Sequence, residues 1–285
     1  WGINADSDVV LYDDGPGAFA ARAWWLLTWL GKREGVFILD GGLKAWHAAG
    51  FPLSLDASPT LRGTFEGKPD SHMLLSAEQL QKRLTKPGLT LIDARAQPRF
   101  RGEVEPIDPI AGHIPGAHFV DPKRTQLGQP PAPGLLPTRS SLEALFGELG
   151  HTPNAVYVVY DDEGGGWAGR FIWLLDVIGH KAYHYLDGGI HSWIAEGLAL
   201  SHYLPDAATA QLSLTLHDEP TATREYLQSR LGAADLAIWD ARSAAEYRGE
   251  KVLAAKGGHI PGAANFEWTA GMDKERSLRI RTDMP

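Results

Sequence analysis

Two glycine-rich loops hold the residue types best placed for chemistry. One runs Tyr160-Asp161-Asp162-Glu163-Gly164-Gly165-Gly166 and the other Tyr12-Asp13-Asp14-Gly15-Pro16-Gly17. Gly164-x-Gly166-x-x-Gly169 follows an apolar run and opens a helical pattern, and Gly15-x-Gly17-x-x-Ala20 does the same. Asp187 and Asp40 close the next apolar runs, 23 and 25 residues after the first glycine. This is the spacing of a dinucleotide-binding fingerprint, with a pyrophosphate on a helix N-terminus and a carboxylate on a ribose. Two features oppose that reading. Asp161, Asp162 and Glu163 crowd the loop mouth, and their charge would repel a pyrophosphate. The fingerprint should also open its domain, whereas this loop comes late in its module.

The other candidates are His113, His259 and a set of arginines. A histidine can serve as acid or base near neutral pH. Both histidines sit in tight turns, Gly112-His113-Ile114-Pro115-Gly116 and Gly258-His259-Ile260-Pro261-Gly262, where local structure is the expected role. There are no cysteines, so disulfides, thiolate metal sites and thiol nucleophiles are excluded within this chain.

The elements that must position these residues alternate in kind. LTLID (89–93) and VYVVY (156–160) read as strands, the second buried on both faces. GRFIWLLDVIG (169–179) reads as a helix ended by Gly179, HYL (184–186) as a strand and HSWIAEG (191–197) as a helix ended by Gly197. Ser76, Glu78 and Gln79 open a helix over 76–84, and SLEALFGEL (141–149) supplies another. WWLLTWLG (24–31) is too short to cross a bilayer and reads as a buried helix. Segment 121–138, with five prolines, reads as a surface loop, and 54–75 and 201–220 as linkers. Strands alternating with helices predict an α/β fold, a central parallel sheet with helices on both faces.

These elements repeat. Asp93 and Asp240 are 147 residues apart, His113 and His259 146, Asp13 and Asp161 148, and Asp40 and Asp187 147. One module of about 147 residues, linker included, is therefore repeated, and the chain reads half, whole, half. Residues 76–200 hold a complete module, 1–55 its C-terminal half and 221–285 its N-terminal half. Neither half can bury its strands alone. Docking of 221–285 with 1–55 would give one permuted module lacking about nine residues, roughly one helix. The other readings are a piece of a longer tandem protein and a chimera of two tandem enzymes joined near the shared turn.

The ordered motifs resemble the rhodanese, or sulfurtransferase, family. The residues that carry the resemblance are Asp93-Ala94-Arg95, Arg99-Phe100-Arg101-Gly102, the turn at 112–117, the loop after Tyr160, and Asp187-Gly188-Gly189 with Trp193. Their echoes are Asp240-Ala241-Arg242, Tyr247-Arg248-Gly249, the turn at 258–262, and Asp40-Gly41-Gly42 with Trp46. The resemblance implies tandem three-layer α/β domains that transfer sulfane sulfur from thiosulfate or 3-mercaptopyruvate through a cysteine persulfide. It places that cysteine at the strand end, under an anion cradle of loop N–H groups and a helix N-terminus. Asp13 and Asp161 occupy the position here, so no catalytic residue is assigned. The active-site-like loop is Asp161, Asp162, Glu163, Gly164, Gly165 and Gly166. Carboxylate oxygen cannot form a persulfide, and Asp161 is read as a structural acid that contributes about 0.3–1 kcal/mol at a helix N-terminus. Arg99 matches the family's substrate-binding arginine, with Glu246 in its place in the third module. Arg95 and Arg242 are expected in ion pairs.

The functional expectation is therefore a sulfurtransferase of the rhodanese family whose chain, lacking the cysteine, is inactive on its own. The alternatives are a non-catalytic, partner-binding module and, more remotely, a dinucleotide-binding protein. Expected partners are a small anionic sulfur donor and a rhodanese-like domain, within the chain or on a partner. No cofactor or metal is expected. A net charge of −8 without a basic cluster argues against nucleic acid, and no apolar run is long enough for a membrane span. The start shows no secretory pattern, so the cytoplasm is the default compartment.

Overall fold

The structure is a computed structural model, which describes residues 2–58, 62–103, 110–206, 209–252, 256–281 and 283. Residues 59–61 and 207–208 of the expected linkers lie outside the described residues. The chain divides into two compact units. Unit 1 comprises Trp1–Asp70, Gln126–Leu136 and His217–Ala270, and unit 2 comprises Ser71–Thr125, Pro137–Leu216 and Gly271–Pro285.

Unit 1 contains strands β1 (Asp8–Tyr12), β2 (Val36–Leu39), β8 (Thr221–Ala222), β9 (Leu236–Asp240) and β10 (Ala264–Asn265). They form one parallel sheet in the order β10-β9-β1-β2-β8. β1 pairs β9 along its whole length, Asp8 opposite Leu236 through Tyr12 opposite Asp240, so strands from both ends of the chain share the sheet centre. The helices are α1 (Ala18–Trp29), α2 (Gly42–Ala48), α8 (Arg224–Arg230) and α9 (Ala244–Tyr247).

Unit 2 contains β3 (Leu74–Leu75), β4 (Leu89–Asp93), β5 (Ala117–Phe119), β6 (Val156–Tyr160) and β7 (Tyr183–Leu186), parallel in the order β3-β7-β6-β4-β5. Its helices are α3 (Ala77–Gln81), α4 (Gln97–Arg101), α5 (Arg139–Glu148), α6 (Gly166–Val177) and α7 (Gly189–Ala195). The two sheets have the same strand order with the halves of the module permuted. α5 has no counterpart among the described residues of unit 1. Both units are three-layer α/β folds, parallel sheets flanked by helices, in tandem.

Local chemistry explains most of these elements. Ser76 Oγ accepts from Gln79 N, and Gln79 Oε1 accepts from Ser76 N, a reciprocal cap that starts α3. Every residue of β6 after Val156 is buried, as its continuous apolar run requires. α1 buries Trp24, Trp25 and Trp29. α6 starts at Gly166, three residues before the helix pattern in the sequence, because the Asp161 carboxylate reaches forward to cap its first turn. The sequence reads 54–75 as linker, yet Leu74 and Leu75 form an edge strand beside β7. No helix among the described residues is long and apolar enough to cross a membrane.

Two segments, one in the expected loop and one in the expected half-module, act as straps. Residues 126–136, inside the proline-rich stretch, belong to unit 1. They fold back on themselves, Leu127 N donating to Leu135 O (2.8 Å) and Gly128 N to Pro133 O (2.9 Å). Leu136 N then donates to Asp40 Oδ1 (2.7 Å). Residues 271–285, at the end of the 221–285 stretch, belong to unit 2. There β11 (Met272–Asp273) pairs antiparallel with β12 (Arg279–Ile280), and Ile280 N donates to Asp187 Oδ1 (2.8 Å). Asp40 and Asp187, placed by their spacing on a ribose in the dinucleotide reading, each hold the backbone of a strap.

One glycine shows how closely the helix after β7 is seated. Gly189 has φ +55, and a Cβ there would lie 2.1 Å from Asp161 O. Gly116 has φ +80, with nothing within 4 Å of its would-be Cβ. Gly189→Ala is expected to cost about 2–4 kcal/mol, strain plus collision, against about 1 kcal/mol for Gly116→Ala. Urea unfolding of the two variants checks this, and equal losses would refute the packing argument.

Candidate functional site

The site is built on the ends of β4 and β6. Asp93 ends β4, and its carboxylate is held by Arg95, with Nε 3.0 Å from Oδ1 and Nη2 2.8 Å from Oδ2. Arg95 Nη2 also donates to Gly112 O (2.8 Å). Tyr160 ends β6; its hydroxyl donates to Asp93 Oδ2 (2.6 Å) and accepts from Ile114 N (3.1 Å). Asp93, Arg95 and Tyr160 are all fully buried. Unit 1 repeats the arrangement. Arg242 Nη2 donates to Asp240 Oδ2 (2.5 Å) and Gly258 O (2.8 Å), and Tyr12 Oη donates to Asp240 Oδ2 (2.8 Å) while accepting from Ile260 N (3.0 Å). Burial, then the charge of the nearby aspartate, push both phenols well above their ordinary range, so they stay protonated and donate. These tyrosines were not singled out in the sequence. The available signal was the aromatic residue ending each copy of the central strand, directly before Asp-Asp.

One residue after Tyr160 the chain enters the glycine loop. Asp161 Oδ1 accepts from Glu163 N (3.2 Å) and Gly165 N (2.8 Å), and Oδ2 accepts from Ala168 N (3.0 Å). Asp13 does the same in unit 1. Its Oδ1 accepts from Gly15 N (2.9 Å) and Gly17 N (3.1 Å), its Oδ2 from Phe19 N and Ala20 N (both 3.0 Å). Each loop is thus an anion cradle whose occupant is the chain's own carboxylate, set against the N-terminus of a twelve-residue helix. Gly164, Gly165 and Gly166 let the backbone turn tightly enough for those N–H groups to converge.

Asp162 and Glu163 face another way. Arg99, in the middle of α4, places Nη1 2.5 Å from Asp162 Oδ2 and 3.5 Å from Glu163 Oε1. The Asp162 side chain is 4% exposed and that of Arg99 37%. His191 of α7 sets Nε2 2.9 Å from Asp162 O. Burial, and then the neighbouring Asp161 charge, push the Asp162 carboxyl up to about 6 despite Arg99 and Arg95. In unit 1 the place of Arg99 is taken by Glu246, which accepts from Ser243 Oγ (2.5 Å) as a helix cap. Asp14 there has Arg242 Nη1 4.0 Å away, and burial raises its carboxyl too.

The histidines tie separate segments together. His113 has Nδ1 3.0 Å from Phe100 O and Nε2 3.1 Å from Tyr203 O, with its ring stacked on Phe100. His259 has Nδ1 2.8 Å from Tyr247 O and Nε2 3.0 Å from Asp56 O. Their partners lie in the short helix and in the segment after the last helix, not in the turn that carries them. Neither histidine contacts the glycine loop in these hydrogen bonds.

This geometry can be set beside known proteins. The model of the rhodanese-like domain matches residues 2–49, 76–196 and 223–283. The chain belongs to the rhodanese family. Among its relatives is the thiosulfate sulfurtransferase of Azotobacter vinelandii, 66% identical over 212 residues, which cover 74% of this chain and 75% of that protein. The thiosulfate sulfurtransferase of Pseudomonas aeruginosa is 64% identical over 215 residues, 75% of this chain and 76% of that one. A probable 3-mercaptopyruvate sulfurtransferase of the same organism is 68% identical over 117 residues, 41% of either chain. The crystal structure of the Escherichia coli 3-mercaptopyruvate sulfotransferase, at 26% identity, superposes with a TM-score of 0.63 over 74% of this chain and 80% of that one. The chain is thus a tandem rhodanese, and it holds no cysteine.

The Asp162 geometry carries a stability consequence. An aspartate in the unfolded chain titrates near 3.8, so between that pH and about 6 the folded chain binds more protons than the unfolded one. The contribution of this group to stability therefore falls as pH rises through that window. Above it, the buried charge costs roughly 1–3 kcal/mol. Asp162→Asn is expected to raise Tm at pH 7.5 and leave it nearly unchanged at pH 4, read by thermal melts. A lower Tm at pH 7.5 would show that the ion pair outweighs the burial cost.

Proposed function

We propose that this chain serves sulfane-sulfur transfer of the thiosulfate or 3-mercaptopyruvate class as a scaffold that binds the anionic donor, the covalent step needing a thiol that the chain does not hold. In that step a thiolate takes the outer sulfur of the donor, for thiosulfate with release of sulfite, and passes it to a thiophilic acceptor. The observation that carries the reading is the self-filled cradle. Asp161 and Asp13 consume the loop N–H groups that would otherwise steady a thiolate or persulfide, and neither carboxylate can carry sulfur. The names of the relatives support the donor class. Arg99 is the side chain proposed to meet the donor, since it is over one-third exposed and reaches the loop acids.

The same observation supports a second reading, a non-catalytic module that braces or regulates a partner rhodanese domain. A dinucleotide finds less support. The loop N–H groups already serve Asp161, and Asp187 holds the strap. With thiosulfate and cyanide the purified chain is expected to form no thiocyanate above the uncatalysed rate. It should also gain no 32-unit adduct by mass spectrometry after exposure to thiosulfate. Turnover, or that adduct, would overturn the proposal.

A further inference from the structure

Unit 2 differs from unit 1 in one respect that bears on ligand binding. Its loop faces a guanidinium, Arg99, where unit 1 has Glu246. That guanidinium is engaged by the loop's own acids. Asp162 holds it at 2.5 Å and Glu163 lies at 3.5 Å. A carboxylate at that distance uses the same N–H donors that an oxyanion would need. We infer that Asp162 is a positioning residue that competes internally for Arg99, so that an anionic sulfur donor reaches the guanidinium only when this carboxylate is displaced or protonated. The inference rests on the reading of Arg99 as the donor-binding side chain.

The geometry makes the competition sensitive to pH. Among the described residues, Asp162 is faced by charged and titratable groups from the loop, α4, the end of β4 and α7. Asp161 and Glu163 flank it on the loop, Arg99 reaches it from α4 and Arg95 from the end of β4, and His191 of α7 contacts its carbonyl oxygen. Burial and the charge of Asp161 favour the protonated form, and the two arginines oppose them. Protonation removes the nearer loop charge on Arg99, while Glu163 stays 3.5 Å away. Deprotonation restores the clasp. Unit 1 provides an internal contrast, because Glu246 stands there in place of Arg99 and accepts from Ser243, and the arginine near Asp14, Arg242 at 4.0 Å, is held by Asp240. Donor binding is therefore assigned to unit 2 alone.

The test is thiosulfate titration of the whole chain at pH 5.5 and pH 8, followed by calorimetry and by the NMR signal of the Arg99 Nε–H. The wild-type chain is expected to bind about tenfold or more tightly at pH 5.5, the ceiling being set by how fully Asp162 is charged at pH 8. Asp162→Asn should bind at both pH values about as tightly as the wild-type chain does at pH 5.5. Arg99→Ala should lose binding at both. His191→Gln should keep the wild-type pH dependence. Loss of that dependence in His191→Gln, or its persistence in Asp162→Asn, overturns the inference while leaving Arg99 as the donor contact. So does equal affinity of the wild-type chain and Asp162→Asn at pH 8 when Arg99→Ala does not bind. Undiminished binding by Arg99→Ala, or none by Asp162→Asn, removes the donor-arginine reading itself. The pH profile separates a positioning role from a structural one, because a merely destabilised loop would weaken binding at both pH values.

Discussion

The buried contact among an aspartate, an arginine and a tyrosine at the strand ends fixes everything the loop does. Asp93 ends β4 and Tyr160 ends the neighbouring β6, and the tyrosine hydroxyl joins the two while also receiving Ile114 N from the turn. Arg95 closes the set by bridging Asp93 and Gly112 O. Three segments far apart in sequence thus meet on one buried carboxylate. Removing one partner of such a set would leave an uncompensated charge, at a cost of about 3–5 kcal/mol. Asp161 follows Tyr160 directly, so the anchoring of the tyrosine also places the carboxylate that fills the cradle. Unit 1 reproduces this network with Asp240, Arg242, Tyr12 and Ile260, although its strands come from opposite ends of the chain. The network reads spatial position and is indifferent to chain order.

Much of the fold was legible because burial leaves a pattern. The VYVVY run, the aspartate at each strand end and the DGG turns recur at one fixed interval, and each answers to a local requirement. The apolar run needs two covered faces. The turn needs glycine where φ is positive. What was not legible depends on partners that sequence spacing does not reveal. The 121–138 stretch has no apolar period, so nothing in it shows that 126–136 would fold back and donate Leu136 N to Asp40. The last residues of the chain have the same role at Asp187 and carry no sequence likeness to the first strap. His113 likewise gave its type but not its partners, since Phe100 O and Tyr203 O are main-chain atoms that any residue could supply.

The candidate site was legible as a set of residue types and not as a set of relations. The glycines, the paired acids and Arg99 all stood out. The sequence showed the acids as a repulsive cluster at a loop mouth. In the structure they divide. Asp161 turns inward to the backbone N–H groups, whereas Asp162, one residue on, turns to Arg99. That division falls just past the end of β6, where the chain bends at Asp162. It gives two adjacent carboxylates two different environments, one satisfied by the backbone and the other by a side chain.

The cradle itself explains how so many converging N–H groups are tolerated in a buried loop. Converging N–H groups at a helix N-terminus are unfavourable when buried and unpaired, since each loses its hydrogen bond to water. A carboxylate at the strand end satisfies three or four of them at once and carries the charge that the helix dipole favours. The carboxylate therefore holds the loop geometry and the start of α1 and α6 while using donors that another anion would need. Stability and ligand capacity draw on the same donors, so the loop cannot supply both. The Arg99 donors lie outside the cradle, on α4, where a second pair of loop carboxylates, Asp162 and Glu163, draws on them instead.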